Sequence, residues 1–252
     1  MPSALQRMRS WLRVDWPKKT YLVAPHHRLI YCPIEKNACS SIKRWMHQFM
    51  GYTNQPFDYH KFMAKRHSLR GKSPRKVERL LNDPTYLKIA VVRNPWSRLV
   101  SGFLNKIVRP RKPQLSRAFL EVDIDNYDGL TFRQFVQIIV QHNPRTTNSH
   151  WRPQHLFLAD TQFDIVGRME QLPDFFEQVS ARLKISHQLP QVNRTQYDPE
   201  IRDLQLADTA TIEINQFKTF PSYHCFYDQP LIDLVATHYR QDVEQFGYGF
   251  SA

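Results

Sequence analysis

Twice within the first 110 residues, a short apolar run passes straight into an amphipathic helix, and this pairing constrains the fold more than any other feature. RLIYCPI (28–34) leads into EKNACSSIKRWMHQFM, where Ile42, Trp45, Met46, Phe49 and Met50 share one helical face. YLKIAVV (86–92) leads into Arg93-Asn94-Pro95, with the proline suited to a first helical turn. Trp96, Leu99, Val100, Phe103, Leu104 and Ile107 then repeat the helical spacing. FDIVGR (163–168) and LPDFFEQVSARLK form a third strand–helix pair, while TFRQFVQIIVQH (131–142) and residues 230–246 read as helices. Strands alternating with helices predict an α/β fold, a central parallel sheet flanked by helix layers. No linker divides the chain, so one domain is expected over 21–252, behind a basic N-terminal arm, 1–20. Residues 60–79 read as a loop running into a helix, and 185–228 as mostly loop.

Charge narrows the function. Residues 1–112 hold 24 Lys and Arg against 5 Asp and Glu, a net of +19, whereas 113–252 hold 11 against 18, a net of −7. Residues 61–79 alone carry eight cations and one glutamate. Such asymmetry points to an anionic partner for the N-terminal half: nucleic acid, acidic membrane, nucleotide or acidic polysaccharide. Hydrophobic residues at 41% can build a core, which excludes wholesale disorder. No apolar run is long enough to span a membrane, and the first residues lack a secretory pattern. Three cysteines, Cys32, Cys39 and Cys225, without a CxxC pair, speak against a disulfide framework or zinc site and for a reducing, cytoplasmic setting. Trp11, Leu12 and Trp16 in the basic arm fit a docked terminus, or a peripheral contact with the inner membrane face.

Both strand–helix junctions suit phosphate. A loop entering a helix aims backbone N–H groups and the helix dipole at one point, and Lys36, Ser40 and Ser41 make that point an anion site. Helix capping by the two serines would account for them equally well. At the second junction Arg93 offers a fixed fork, and Ser101 is a hydroxyl on an otherwise apolar helix, one turn beyond Ser97. Arg93 could instead pair with an acid, and Arg98 could sit in solvent. Two phosphate sites on one sheet suggest a nucleotide with phosphates at both ends of its ribose.

At these residues the sequence resembles a known family. CPIEKNACSSIKRW is similar to the 5′-phosphosulfate loop of the carbohydrate sulfotransferases, and VVRNPWSRLVSGFLNK to their 3′-phosphate motif. HWRPQ (150–154), FDIVGRMEQLPD (163–174) and YRQDVEQFGY (239–248) resemble later landmarks of the chondroitin and dermatan 4-O-sulfotransferase branch. The chain departs from the pattern at Ile42, where the family usually has Trp, and at Asn94, where it usually has Asp. It also lacks the cysteines that Golgi members carry after the HW motif, and a soluble, bacterial-type relative is expected.

The resemblance implies a P-loop-like fold and sulfuryl transfer from 3′-phosphoadenosine 5′-phosphosulfate (PAPS) to a carbohydrate hydroxyl, without a metal. Lys36 would contact the bridging oxygen and 5′-phosphate. Residues Asn37, Ala38, Cys39, Ser40 and Ser41 would hold the 5′-phosphate, and Arg93 and Ser101 the 3′-phosphate. All would meet at the C-terminal edge of the sheet. The acceptor proton needs a base. His67, in the basic stretch between the two phosphate motifs, is the first candidate, and neighbouring cations should depress its pKa. His150 is the second, and His60 lies in the same interval as His67. The acceptor partner could be an acidic glycan or a glycolipid. Two other readings stand beside this one. An ATP-dependent phosphotransferase lacks support from a Walker glycine pattern, and a nucleic-acid or polyanion binder lacks a recognisable module.

Overall fold

The computed structural model describes residues 16–52, 58–110, 128–185, 197–198, 201 and 203–251. Most of the basic arm therefore lies outside the described residues, as do 186–196, 199–200 and 202 within the segment 185–228. In chain order the main elements are β1 Leu22–Ala24, β2 Leu29–Cys32, α1 Cys39–Phe49, α2 Tyr59–His67, α3 Pro74–Leu81 and β3 Leu87–Val92. They continue with α4 Pro95–Phe103, α5 Phe132–Gln141, β4 Ile165–Arg168, α6 Leu172–Leu183, α7 Gln229–His238 and α8 Arg240–Phe246. The backbone gathers into two compact units that interleave in sequence, residues 1–92 with 154–193, and 93–153 with 194–252.

The first unit carries an α/β sheet of order β1-β2-β3-β4. Strands β2, β3 and β4 run parallel, as the three apolar runs predict, whereas β1 pairs antiparallel with β2. At three residues, β1 is too short to show a period, which is why it is absent from the sequence-based expectation. Alternate side chains put Leu22, Ala24, Leu29, Tyr31, Leu87, Ile89, Val91 and Ile165 on one face. That face is covered by Ile42, Trp45 and Met46 of α1, Met63 of α2, and Phe175, Phe176 and Val179 of α6. Gly167 on β4 lies under Phe175: a Cβ there would come within 2.3 Å of the ring. The FDIVGR motif therefore needs glycine so that α6 can lie close to the strand.

In the second unit every residue of α4 is buried. Phe103 packs against Phe132, Phe135 and Phe226, and Trp151 meets the ring of Phe135 edge-on. α5 opens on a capping box made by Thr131 and Gln134. The helix expected over 230–246 is two helices, broken at Tyr239 (φ −103°, ψ 22°). The break buries the Tyr239 ring and lets its hydroxyl donate to the carbonyl of Trp151.

Candidate active site

In the first unit, the loop from β2 to α1 has an unusual backbone, and its Asn37 N–H donates to Ile34 C=O (3.3 Å). Lys36 (φ 71°) and Ala38 (φ 55°) both take the left-handed conformation, which costs a non-glycine residue roughly 1–2 kcal/mol. Ala38 is the N-cap of α1 and has no side chain to turn back on the helix end. The first intrahelical bond runs from Ile42 N–H to Ala38 C=O, so the N–H groups of Cys39, Ser40 and Ser41 have no carbonyl partner within the helix. Neither serine is the N-cap: Ser40 and Ser41 lie inside the first turn, after Ala38. Two left-handed residues directly before a helix whose N-cap offers no side chain are a backbone suited to receive an anion.

The Asn37 side chain has partners that the sequence did not indicate. Its side chain is fully buried, and its amide donates to the carbonyl of Val91 on β3 (2.9 Å) and to Oε1 of Gln154 (2.6 Å). Gln154, the last residue of HWRPQ, is equally buried. The sequence places these residues 117 apart and offers no sign that they touch. Together they clamp the strained loop to the end of a central strand.

His60 is the residue that sequence reasoning passed over. At the start of α2, its Nε2 lies 3.1 Å from Ser40 Oγ, and its Nδ1 lies 3.4 Å from Lys43 Nζ. His67 sits at the other end of the same helix. Its Nε2 meets the Tyr52 hydroxyl at 3.0 Å, and the ring is also hydrogen-bonded to the backbone of Val23. It packs among the rings of Tyr52 and Phe62. Burial, more than the expected cations, holds its pKa below the ordinary histidine value, with Arg66 and His47 adding to the effect. The rest of the basic segment is surface: Lys65, Arg66, Arg70, Lys72, Arg75, Lys76 and Arg79 are all exposed.

The second unit holds the other junction. Asn94 caps α4, accepting from Trp96 N–H (3.1 Å) and Ser97 N–H (3.3 Å). Its amide also donates to Gly249 C=O at 2.8 Å. An Asp, the usual residue of the resembled family, would keep the cap and lose this donation. Arg93 Nε donates to Ser97 Oγ at 3.0 Å, which orients the guanidinium. Ser101 is 3% exposed and follows Ser97 by one turn on the same helix face. Arg98 is not a solvent residue: at 2% exposure it donates to the carbonyls of Arg152 (2.8 Å) and Ser149 (3.0 Å). It thereby fixes the segment that bears His150.

Asn148 Oδ1 accepts from the backbone N–H of His150 (3.0 Å) and lies 2.7 Å from its Nδ1. An amide oxygen can only accept, so Nδ1 carries the proton and Nε2 is the basic nitrogen.

A profile of the sulfotransferase family matches residues 19–249. The chain belongs to the sulfotransferase family. It is similar to carbohydrate sulfotransferase 14 of Mus musculus, 29% identical over 168 residues, covering 60% of this chain and 43% of that protein. It is also similar to carbohydrate sulfotransferase 9 of Homo sapiens, 27% identical over 173 residues, or 60% and 38% of the two chains. Carbohydrate sulfotransferase 14 of Danio rerio is 25% identical over 244 residues, 90% of this chain and 61% of that one. The chain spans less than half the length of the first two. No solved structure matches it. Both strand–helix junctions and the HWRPQ segment fall inside the matched region. No helix among the described residues is long and apolar enough to cross a membrane.

Proposed function

We propose that the chain transfers a sulfuryl group from PAPS to a hydroxyl of a carbohydrate acceptor. The observation that carries this reading is the backbone of residues 35–38, left-handed at Lys36 and Ala38, ahead of an N-terminus of α1 without a capping side chain. When bound, PAPS supplies the sulfuryl group on a phosphate leaving group. The N–H groups of residues 39–41 hold the 5′-phosphate, and Lys36 stabilises the charge that grows on it as the bond to sulfur breaks. Arg93, already oriented by Ser97, takes the 3′-phosphate together with Ser101.

For the base, His150 is favoured over His67. A base must be a neutral imidazole in a set tautomer, and the Asn148 bond puts the His150 proton on Nδ1 and makes Nε2 its basic nitrogen. The His67 ring is engaged on two sides, by Tyr52 and by Val23. His150 takes the acceptor proton as the new oxygen–sulfur bond forms and the bond from sulfur to the 5′-phosphate oxygen breaks. His150→Ala should lower turnover by roughly 10²- to 10⁴-fold while donor affinity holds. A larger loss of turnover in His67→Phe than in His150→Ala would return the role to His67.

The reading as a whole is tested by thermal stabilisation. 3′-Phosphoadenosine 5′-phosphate at a hundred times its Kd should add about 2.7 kcal/mol. Stabilisation by ATP–Mg²⁺ or by an oligonucleotide, and not by this nucleotide, would overturn it in favour of a phosphotransferase or a nucleic-acid binder.

A further inference from the structure

We infer that His60 is a positioning residue for the donor: it holds the Ser40 hydroxyl in the orientation that donates to the 5′-phosphate, and Lys43 fixes the imidazole tautomer that makes this possible. The inference rests on the reading of residues 36–41 as the 5′-phosphate cradle.

The argument begins with the three side chains. Ser40 and Lys43 lie one turn apart on α1, so they project from the same face. His60 opens α2 against that face, 3.1 Å from Ser40 Oγ and 3.4 Å from Lys43 Nζ. An ammonium has only donors, so Nδ1 of His60 must be the acceptor in its contact with Lys43. A neutral imidazole with an acceptor at Nδ1 carries its proton on Nε2. That N–H points at Ser40 Oγ and can only donate to it. The opposite tautomer would set the Nδ1–H against the ammonium protons, donor against donor. With an oxygen lone pair engaged by His60, the serine hydroxyl keeps its proton for another acceptor.

Ser40 lies in the first turn of α1, among the N–H groups that the helix itself leaves without a partner. An anion bound there meets one hydroxyl donor already turned toward it. Orienting that rotor in advance removes an ordering cost from donor binding. The same tautomer has no lone pair at Nε2. His60 is therefore poorly suited to be the base, although it lies nearer the cradle residue Ser40 than His67 does along α2.

Two measurements test this. The first needs no ligand: the ¹⁵N resonances of His60 in the wild-type protein should show an unprotonated Nδ1 and a protonated Nε2. In Lys43→Met that preference should weaken. A protonated Nδ1 in the wild type overturns the inference. The second is a double-mutant cycle read as the Kd of 3′-phosphoadenosine 5′-phosphate. His60→Ala should weaken binding about tenfold, as should Ser40→Ala. The double variant should be no weaker than Ser40→Ala alone, because His60 acts only through Ser40. His60→Gln, which can still donate to Ser40, should recover most of the loss and also controls for misfolding of the alanine variant. Additive losses in the double variant, or unchanged affinity in His60→Ala, would overturn the proposal. So would intact affinity with collapsed turnover, which would make His60 a base. If the wild type itself does not bind the nucleotide, it is the cradle reading that fails, and the ¹⁵N result then reports the tautomer by itself.

Discussion

The junctions β2–α1 and β3–α4 look alike in sequence, each an apolar strand followed by a helix with a cation at the turn, yet they are built on opposite plans. After β2 the chain takes a strained loop and enters α1 without a capping side chain at Ala38, so the first-turn N–H groups have no partner from the N-cap residue. After β3 it enters α4 at once, and Asn94 takes up the N–H groups of Trp96 and Ser97. An anion at the first junction can be met by main chain. At the second, with those donors already used, an anion would have to be met by side chains, and Arg93 and Ser101 are the ones proposed, since Ser97 Oγ already accepts from Arg93 and donates to Asn94 C=O. The first site is specified by conformation and the second by residue identity.

If that contrast is right, the largest effect belongs to the one cation that the conformational site adds. Lys36→Ala should lower kcat by roughly 10²- to 10³-fold, the scale of losing one donor to a developing charge. Donor affinity should fall far less, since the N–H groups remain. Steady-state kinetics with a separate measurement of nucleotide Kd distinguishes the two, and a Kd loss matching the kcat loss would break the contrast.

Arg93→Ala should act the other way. It removes a charge-assisted fork, a loss of about 1.5–3 kcal/mol in donor affinity, because no backbone donors stand in for it. Calorimetry with 3′-phosphoadenosine 5′-phosphate reads this directly. Unchanged affinity would mean that Arg93 serves only its bond to Ser97.

The same contrast explains what the sequence could and could not tell. Strands β2, β3 and β4 and their following helices were legible because apolar runs and helical spacing are local patterns. So were Lys36 and Arg93, as cations at predicted strand ends. The task of Asn37 was not: its bond to Gln154 joins segments more than a hundred residues apart, and amide pairs leave no periodic trace. The Ser40–His60–Lys43 contact was hidden for a related reason. α2 carries its apolar residues among cations, with little amphipathic pattern, and so 60–79 read as a loop running into a single helix where there are two. The break at Tyr239 was equally silent, since it comes from a distant carbonyl partner, Trp151.

A smaller effect separates the junctions by stability. Asn94→Ala should cost about 1 kcal/mol through the lost cap, and somewhat more through the lost bond to Gly249. Asn94→Asp should recover the capping part alone. Chemical denaturation of the three proteins gives the ordering, and an aspartate variant no better than alanine would show that the cap contributes little.

Ala38→Gly is the smallest effect and the sharpest in sign. In ordinary backbone, replacing Ala by Gly destabilises, because the unfolded chain gains freedom. At φ 55° the alanine Cβ is itself strained, and glycine relieves that strain. The two terms oppose, and the strain is the larger, so the variant should be more stable by about 0.5 kcal/mol. The added freedom should at the same time loosen the loop, so nucleotide affinity should not rise with stability. This combination, a higher Tm with equal or weaker binding, follows only if the loop is held strained in the shape that receives the anion. A lower Tm would show that Ala38 carries no strain, and the first junction would then differ from the second merely in lacking a capping side chain.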